Sequence, residues 1–319
     1  MIKFGVLLTS VSQDPAKGDY TVVRKVAMEC ERLGFDSVWL NDHFFPFPSQ
    51  EEPWLECWTT LSALAVETKN LRLGTLVSCN SFRYPSVLAK MGATLDVISN
   101  GRLELGLGAG WYKAEHVAYG LPFPKSRIRV EQLKEGVQII KKMWTQERAT
   151  YYGKYYSIRE AVCNPKPVQS PHPPIWIGGR SPRVLRVVAE FANGCNFYAC
   201  SPNECGDKIK VLNQHCMEIG RDAVEIQKSW LGTVLIGKNK LELANKIKKF
   251  KLRHPRKEVR EMALAEYKSR HIVGTPEQCE EKIREFTDFG ITNFMLVFPD
   301  MSNLQVLQLF TDHAIACFR

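Results

Sequence analysis

The sequence predicts an α/β fold in which eight strand–helix units close into a (β/α)8 barrel. Apolar, strand-like runs alternate with amphipathic, helix-like runs along almost the whole chain of 319 residues. This alternation is typical of a parallel sheet, and eight units in one chain favour a closed barrel over an open doubly wound sheet. No stretch rich in glycine or serine divides the chain, so we expect a single domain over residues 1–319.

The predicted strands are short apolar runs bounded by turn residues. They cover residues 2–8, 36–40, 71–77, 102–107, 175–177, 195–198, 226–236 and 292–298. The predicted helices cover residues 20–33, 54–68, 85–98, 127–144, 182–193, 203–220, 240–270, 276–289 and 303–318. Gly34 follows the first helix, Pro85 opens the third, and Pro255 interrupts the seventh, as expected of these residue types.

The alternation is interrupted once, between the fourth and fifth units. Residues 149–161 predict a short hairpin that turns at Gly153. The run over residues 163–174 is rich in proline, which forbids a helix and favours an extended connector. We therefore expect an insertion over about residues 146–174.

Charge and cysteine content limit the classes of protein to consider. The net charge is +9 at pH 7, and no apolar run approaches the length of a membrane span. Residues 2–8 resemble a first strand rather than a signal peptide. The ten cysteines form no CxxC pair, which is typical of reduced thiols in the cytoplasm. We therefore expect a cytoplasmic protein with no membrane partner.

Much of the positive charge lies in one segment, which we call the basic run. Its cations are Lys246, Lys248, Lys249, Lys251, Arg253, Arg256, Lys257 and Arg260, set against Glu258. Two interpretations are open, a solvated helical face or a docking surface for an anionic tail or partner. The run lacks interleaved exposed aromatics and an accompanying motif, so we expect no nucleic-acid partner.

Residues that follow the strands are the candidates for function, because active sites of such barrels lie at the carboxyl ends of the strands. The fourth strand leads into Gly106, Gly108 and Gly110, a GxGxG pattern. A dinucleotide-binding loop has GxGxxG and opens a helix directly, whereas Trp111 follows here and the next predicted helix begins near residue 127. The glycines therefore allow backbone to lie flat against a planar ligand, or they serve tight packing inside the barrel.

A second glycine pair follows the fifth strand. Gly178, Gly179 and Arg180 precede Ser181, which is suited to an N-cap, and Pro182, which is suited to a first helical turn. Backbone amides at a helix N-terminus beside an arginine form a natural phosphate site. The alternative is a glycine turn with a solvated arginine.

Asp42 and His43 end the second strand. Together they could orient an imidazole for proton transfer or for a hydrogen bond to a ligand, and the alternative is a structural histidine. Phe44, Phe45 and Phe47 come next, either as an apolar lid or as a buried aromatic cluster.

The chain lacks the motifs of several other chemistries. It has no HExxH, no GxSxG and no P-loop, and the cysteines near residues 195–216 lack ligand-like spacing. We therefore expect no metal site. A pocket for a flat ligand with a phosphate anchor then points to a flavin-like cofactor that performs the chemistry.

Four segments, in this order, resemble the bacterial luciferase-like superfamily of flavin- and deazaflavin-dependent oxidoreductases. They are GFDSVWLNDHF, LRLGTLVSCNSFRYPSVLAKMGATLDVISNGRLELGLGAGW, NPKPVQSPHPPIWIGG and HIVGTPEQ. The resemblance covers about residues 1–300 and is specific for the superfamily, but far less so for the substrate. It implies a barrel with an insertion, usually a homodimer, that uses coenzyme F-420 (an 8-hydroxy-5-deazaflavin) or FMN.

The resemblance also implies positions for individual residues. Asp42 and His43 would lie beside the cofactor ring, and a non-prolyl cis peptide at Leu76–Val77 would bulge toward it. The end of the fourth strand would line the ring, and the glycine turn would hold the phosphate. The implied catalytic residues are Asp42, His43 and Trp111, and the implied cofactor-binding residues are Leu76, Val77, Ala109, Gly110, Gly178, Gly179 and Arg180.

Two positions differ from some deazaflavin dehydrogenases of the superfamily. Those proteins carry a catalytic Glu where this chain has Trp111, and Trp where it has Phe47, which argues against an alcohol or sugar oxidation by the same mechanism. We expect a drier, more aromatic pocket in which Trp111 and Phe47 exclude water and His43 positions or protonates a small organic substrate. The alternatives are an FMN-dependent monooxygenase and a non-catalytic flavin-binding protein of the same fold.

Overall fold

A computed structural model of the chain describes residues 1–8 and 19–319. The described strands are β1 (Lys3–Leu8), β2 (Ser37–Leu40), β3 (Arg72–Thr75), β4 (Ser78–Cys79), β5 (Leu103–Gly108), β6 (Ala149–Tyr152), β7 (Ser157–Ala161), β8 (Ile175–Gly178), β9 (Gly194–Tyr198), β10 (Gln227–Ile236), β11 (Ile272–Gly274) and β12 (Asn293–Val297).

The described α-helices pack around these strands. They are α1 (Tyr20–Arg32), α2 (Cys57–Glu67), α3 (Pro85–Ile98), α4 (Lys113–Ala118), α5 (Ser126–Thr145), α6 (Pro182–Phe191), α7 (Pro202–Glu218), α8 (Lys240–Arg253), α9 (Lys257–Glu261), α10 (Leu264–Arg270), α11 (Pro276–Asp288) and α12 (Leu304–Phe310).

The predicted barrel is confirmed. Its strands pair in parallel in the order β1, β2, β3, β5, β8, β9, β10 and β12, and β12 pairs back to β1. The short β4 follows β3 in the chain and, like β3, pairs with β5 as part of the third barrel strand. β11 pairs in parallel with β10, next to the barrel. The hairpin of β6 and β7 lies in the predicted insertion, between α5 and β8.

Two tryptophans fill the inside of the barrel. The rings of Trp39 and Trp176 meet edge to face, 5.9 Å between centroids, and both are buried. A Cβ atom added to Gly74 would lie 2.1 Å from the Trp39 ring, and one added to Gly194 would lie 2.3 Å from the Trp176 ring. These strand glycines therefore make room for indoles, as close packing requires.

Several helix boundaries differ from prediction for local reasons. α2 begins at Cys57 rather than at residue 54, because the Glu56 carboxylate caps it by accepting hydrogen bonds from the backbone N–H groups of Trp58 and Thr59. The predicted break at Pro255 is confirmed between α8 and α9, but the region 240–270 has a second break, which separates α9 from α10.

Three further elements differ from prediction. α4 follows the fourth barrel strand closely, although no helix was predicted before residue 127. β11 has three residues, too few to show a period. The last predicted helix divides into α12, a π-helical turn at Thr311–Ile315 and a 3-10 turn at Ala316–Phe318. Among the residues that the structure describes, no helix has the length and apolar character needed to cross a membrane.

Candidate functional site

The carboxyl ends of the barrel strands form one open end, which we call the mouth. Residues 9–18, which follow β1 in the sequence, lie outside the described residues. We call the ends of β2, β4 and β5 the histidine side of the mouth, and the ends of β8 and β9 the glycine side. The predicted site residues fall on these two sides.

The floor of the mouth is the side chain of Val77. The Leu76–Val77 peptide bond is cis, as the resemblance implied. Val77 packs on the apolar cluster that contains Trp39 and Trp176. A Cβ atom added to Gly108 would lie 2.6 Å from Val77, and one added to Gly178 would lie 3.0 Å from it. Packing around Val77 therefore accounts for Gly108, and space for a ligand is not needed to explain it.

The end of β5 turns into one wall of the mouth. Gly110 has a φ of +79°, and a Cβ atom there would lie 2.8 Å from the Cys79 sulfur, so only glycine fits without strain. Ala109 is partly buried, whereas 57% of Trp111 is exposed. The rings of Trp111 and Tyr112 stack at 5.1 Å. This wall is aromatic, but the exposure of Trp111 shows that it does not seal the mouth by itself.

His43 is held by Glu115, not by its neighbour Asp42. His43 Nδ1 lies 2.8 Å from Glu115 Oε2, while Glu115 Oε1 accepts a hydrogen bond from the backbone N–H of Phe44 at 2.7 Å. The Glu115 side chain is 1% exposed and that of His43 is 24% exposed. Because a carboxylate only accepts, the hydrogen sits on Nδ1 and leaves Nε2 of a neutral imidazole without one.

The expectation that Asp42 orients His43 is therefore wrong. Asp42 is buried and accepts two hydrogen bonds from the Arg83 guanidinium, at 2.6 and 3.1 Å. Asp42 also accepts a hydrogen bond from the backbone N–H of Cys79. Arg83 in turn forms a salt bridge with Glu56, with 2.7 Å between Nη2 and Oε1. Asp42 ties the ends of β2 and β4 to the start of α2, which fixes the backbone that carries His43.

The helix missed by sequence analysis, α4, carries a second histidine besides Glu115. His116 is fully buried, its Nε2 lies 2.7 Å from the Ser81 hydroxyl, and its Nδ1 lies 3.0 Å from the carbonyl oxygen of Tyr112. It fastens the Trp111–Tyr112 wall to the loop after β4. The signal in the sequence was the Glu–His pair placed shortly after Trp111.

The three phenylalanines after His43 were predicted to form either an apolar lid or a buried aromatic cluster, and they do not all have the same role. Phe44 stacks between Phe82 and Tyr119, at 4.4 and 4.1 Å, and Phe45 is buried. These two form the buried aromatic cluster. Phe47 is 42% exposed and meets Trp111 edge to face at 5.3 Å, so it alone could act in a lid.

The glycine side has the geometry predicted for an anion site. Gly179 has a φ of +144°, and the Ser181 side chain accepts a hydrogen bond from the backbone N–H of Val184 as the N-cap of α6. Pro182 occupies the first turn, and Arg180 is exposed. A hydrogen bond from the Cys205 thiol is the largest cause that lowers the pKa of Cys200 to about 6. Lys208 and Arg180 contribute to the same lowering. These features match a helix N-terminus open to phosphate.

The basic run is only partly a solvated face. Lys246 pairs with Glu242, and Lys251 donates to the carbonyl oxygen of Met262 at 2.5 Å. Lys248 and Lys249 are exposed. Arg256 reaches the mouth, where its Nη2 lies 3.1 Å from the Tyr198 hydroxyl at the end of β9.

The described residues, 1–8 and 19–319, contain no group of three or more His, Cys, Asp or Glu side chains arranged to hold a metal ion.

Comparison of the sequence with known proteins gives one family and several relatives. The family described as luciferase-like monooxygenase matches residues 2–293. The chain is 29% identical over 313 residues to a protein of Microbacterium testaceum (strain StLB037) named F420-dependent glucose-6-phosphate dehydrogenase, covering 91% of this chain and 90% of that one. It is also 29% identical over 229 residues to an FMNH(2)-dependent dimethylsulfone monooxygenase of Pseudomonas putida, covering 70% and 62%.

The fold is shared with solved structures. An F420-dependent secondary alcohol dehydrogenase in complex with an F420-acetone adduct superimposes with a TM-score of 0.85 and 21% identity, covering 99% of this chain and 98% of that one. The likeness establishes a common barrel architecture.

Proposed function

The chain belongs to the luciferase-like monooxygenase family and is an oxidoreductase, and from that premise we propose that it transfers a hydride between coenzyme F-420 and a small organic substrate. The observation that carries the proposal is the His43–Glu115 pair at the mouth of the barrel. A protein that only stores a flavin has no need of an imidazole whose tautomer is fixed by a buried carboxylate.

The residues of the mouth fit a cofactor with a planar ring and a phosphate. The glycine turn, the capped start of α6 and the exposed Arg180 offer donors for the phosphate. Val77 offers an apolar floor for one face of the ring. When bound, the cofactor would supply or accept the hydride, since this is the chemistry of flavins and deazaflavins.

We assign to His43 the transfer of the proton that accompanies hydride transfer. Reduction of a carbonyl adds a hydride to carbon and a proton to oxygen, and oxidation of an alcohol removes both. With Nδ1–H held by Glu115, Nε2 is the free position and takes a proton from the hydroxyl during oxidation. In the reverse direction the protonated imidazole returns that proton to oxygen. This assignment gives the chain a proton carrier even though Trp111 stands where some relatives have an acid.

The choice of cofactor rests on the relatives. The relative named for F420 matches 91% of this chain, whereas the one named for FMNH(2) matches 70%. We therefore favour coenzyme F-420. The second candidate function is an FMN-dependent monooxygenase, which the family description and the second relative favour.

Titration of the purified chain with each oxidised cofactor, followed by absorbance, tests the proposal. Saturable binding of coenzyme F-420, followed by oxidation of its reduced form when carbonyl compounds are added without oxygen, is the expected result. Saturable binding of FMN with none of F-420 would replace the proposal by the second candidate.

We further propose a homodimer in the cytoplasm. The outer helices α2 and α3 expose apolar side chains, including Val66 at 73% and Val87 at 53%, which suits a contact between copies. All ten cysteines are free thiols in the structure, which suits a reducing compartment. Analytical ultracentrifugation of the wild type and of Val66→Asp tests the first point, since a dimer through this face would dissociate in the variant.

A further inference from the structure

The turn between α8 and α9 crosses the mouth from one side to the other. Arg256 Nη2 lies 3.1 Å from the Tyr198 hydroxyl, and Arg256 Cζ lies 5.9 Å from the ring centre of Phe47. Tyr198 ends β9, and Phe47 follows β2. In the barrel, β3, β5 and β8 separate these strands on one side, and β1, β12 and β10 on the other. Arg256 therefore bridges opposite points of the rim.

The position of Arg256 is fixed by its own segment. Its backbone N–H donates to His254 Nδ1 at 3.2 Å, and Arg260 Nη1 donates to the carbonyl oxygens of His254 and Pro255, at 2.8 and 3.1 Å. Below the turn, a separate apolar cluster anchors the segment to β10 and β11. Its buried members are Leu235, Leu243, Val259, Tyr267 and Val273. The cation is therefore held over the mouth by a built support.

Within residues 1–8 and 19–319, no ion pair neutralises the charge of Arg256. In the described part of the chain, no carboxylate lies within ion-pair distance of its guanidinium, and Tyr198 accepts the one side-chain hydrogen bond found for it. Its neighbours His254 and His271 do not add cations at neutral pH, because burial, followed by the charge of Arg256, lowers the pKa of both, that of His271 to about 4. Among the described residues, Arg256 is the cation whose side chain contacts both Tyr198 and Phe47.

The aromatic side chains Phe47 and Trp111 form a continuous series of contacts from Arg256 to His43, the proposed proton carrier. Phe47 meets Trp111 at 5.3 Å, and Trp111 meets the His43 ring at 5.8 Å, both edge to face. A ligand that places its reacting carbon at His43 therefore has Arg256 as the cation near its far end. The side-chain contacts of Arg256 are with Tyr198 and Phe47, so it faces this wall rather than the glycine turn.

Resting on the proposed function, we propose that Arg256 is the specificity-determining residue of a subsite for an anionic group, so that the substrate is a small carbonyl or alcohol compound that carries a phosphate or a carboxylate. A guanidinium with four unused N–H donors suits either group through paired hydrogen bonds, and the partly desolvated rim strengthens them. The Phe47 ring lies beside the guanidinium, with 5.9 Å between Arg256 Cζ and the ring centre.

Inorganic phosphate and acetate serve as probes, and the protein is the full chain saturated with coenzyme F-420, so that the glycine turn is already filled. Anion binding is measured at constant ionic strength by calorimetry, for the wild type, Arg256→Gln, Arg256→Lys and the control Arg253→Gln. The control removes the same charge from the exposed end of α8. Each variant is also titrated with coenzyme F-420 itself.

Saturable anion binding by the wild type is expected, weakened about 10- to 100-fold in Arg256→Gln and less in Arg256→Lys, with the control unchanged. The stronger of the two probes identifies the anionic group. Equal binding by the wild type and Arg256→Gln would overturn the inference. So would a loss of F-420 affinity in Arg256→Gln, since the arginine would then serve the cofactor.

Failure of the proposed function is distinguishable from failure of this inference. If FMN rather than coenzyme F-420 saturates the chain, the proposed function falls. The same phosphate and acetate titrations are then run on the FMN-loaded protein. Equal anion binding by the wild type and Arg256→Gln would again overturn the inference.

Discussion

The two sides of the mouth differ in where their polar groups find partners. On the histidine side the polar groups find partners inside the protein, with Asp42 held by Arg83 and His43 held by Glu115. On the glycine side the donors face outward, with an exposed Arg180 and a glycine at positive φ before a helix N-terminus. The turn between α8 and α9 resembles the glycine side, because its Arg256 guanidinium has no carboxylate partner among the described residues.

The difference separates two tasks. A network closed on itself fixes positions and tautomers, which proton transfer requires. Donors without internal partners attract anions, which binding requires. Substitutions on the histidine side should therefore change the rate of chemistry, and substitutions on the glycine side should change affinity.

The largest effect is expected from His43→Asn. Loss of the imidazole removes the proton carrier, so kcat should fall about 100- to 10,000-fold, while the dissociation constant of the cofactor should stay within about 3-fold. Steady-state kinetics and an absorbance titration check the two numbers. A kcat close to that of the wild type would show that the proton travels by another route.

An acid-dependent loss of stability is expected in the segment that carries Arg256. Burial lowers the pKa of His271 to about 4, and His271 Nδ1 accepts a hydrogen bond from the backbone N–H of Thr233. The unfolded chain binds the proton near pH 6.5, so the stability contributed by neutral His271 is present above that pH and is lost as pH falls toward 4. The loss amounts to at most ~3 kcal/mol.

His271→Asn keeps an acceptor for Thr233 and removes the titration. Urea unfolding between pH 4 and pH 7 should show a shallower pH dependence for this variant than for the wild type. The histidine side should be unaffected at neutral pH, so an equal pH slope in the two proteins would contradict the assignment.

Glu115→Gln tests whether the tautomer of His43 matters. One side of the amide must donate, so it can no longer accept from both His43 Nδ1 and the Phe44 backbone. The imidazole would then turn its free nitrogen toward residue 115, and kcat should fall about 10-fold to 50-fold. The pH profile of kcat should also shift, which a loss of folding alone would not produce.

A smaller effect is expected on the glycine side. Gly179→Ala places a side chain at a φ of +144° and a Cβ atom 2.9 Å from Val184, which displaces the turn. Cofactor affinity should weaken about 5- to 10-fold with kcat at saturation nearly unchanged. The matched control is Gly120→Ala, which has a φ of +67° with no atom within 4 Å of its Cβ position. Equal weakening in both would assign the effect to backbone strain alone.

The smallest effect is expected from the solvated part of the basic run. Lys248→Gln with Lys249→Gln removes two exposed charges from α8. If this face is only solvated, cofactor affinity and its salt dependence should change less than about 2-fold. A larger change would favour docking of an anionic tail on α8.

The sequence predicts the barrel well and the site in part. The eight strands follow from periodicity, and the positions of Val77 and Gly178 follow from the strand ends. The partner of His43 does not, because Glu115 lies 72 residues away and meets it only when β2 and β5 are brought to the same end of the barrel on either side of β3. The position of Arg256 over Phe47 likewise depends on how three short helices pack, which no local pattern specifies.

One paired experiment tests the division between the two sides most directly. The cofactor dissociation constant and the rate of a single anaerobic hydride transfer at saturating cofactor are measured for wild type, His43→Asn and Gly179→Ala. The account predicts a crossed result, in which His43→Asn lowers the rate and keeps the affinity, and Gly179→Ala weakens the affinity and keeps the rate. If both variants change the same quantity, the two sides do not have separate tasks.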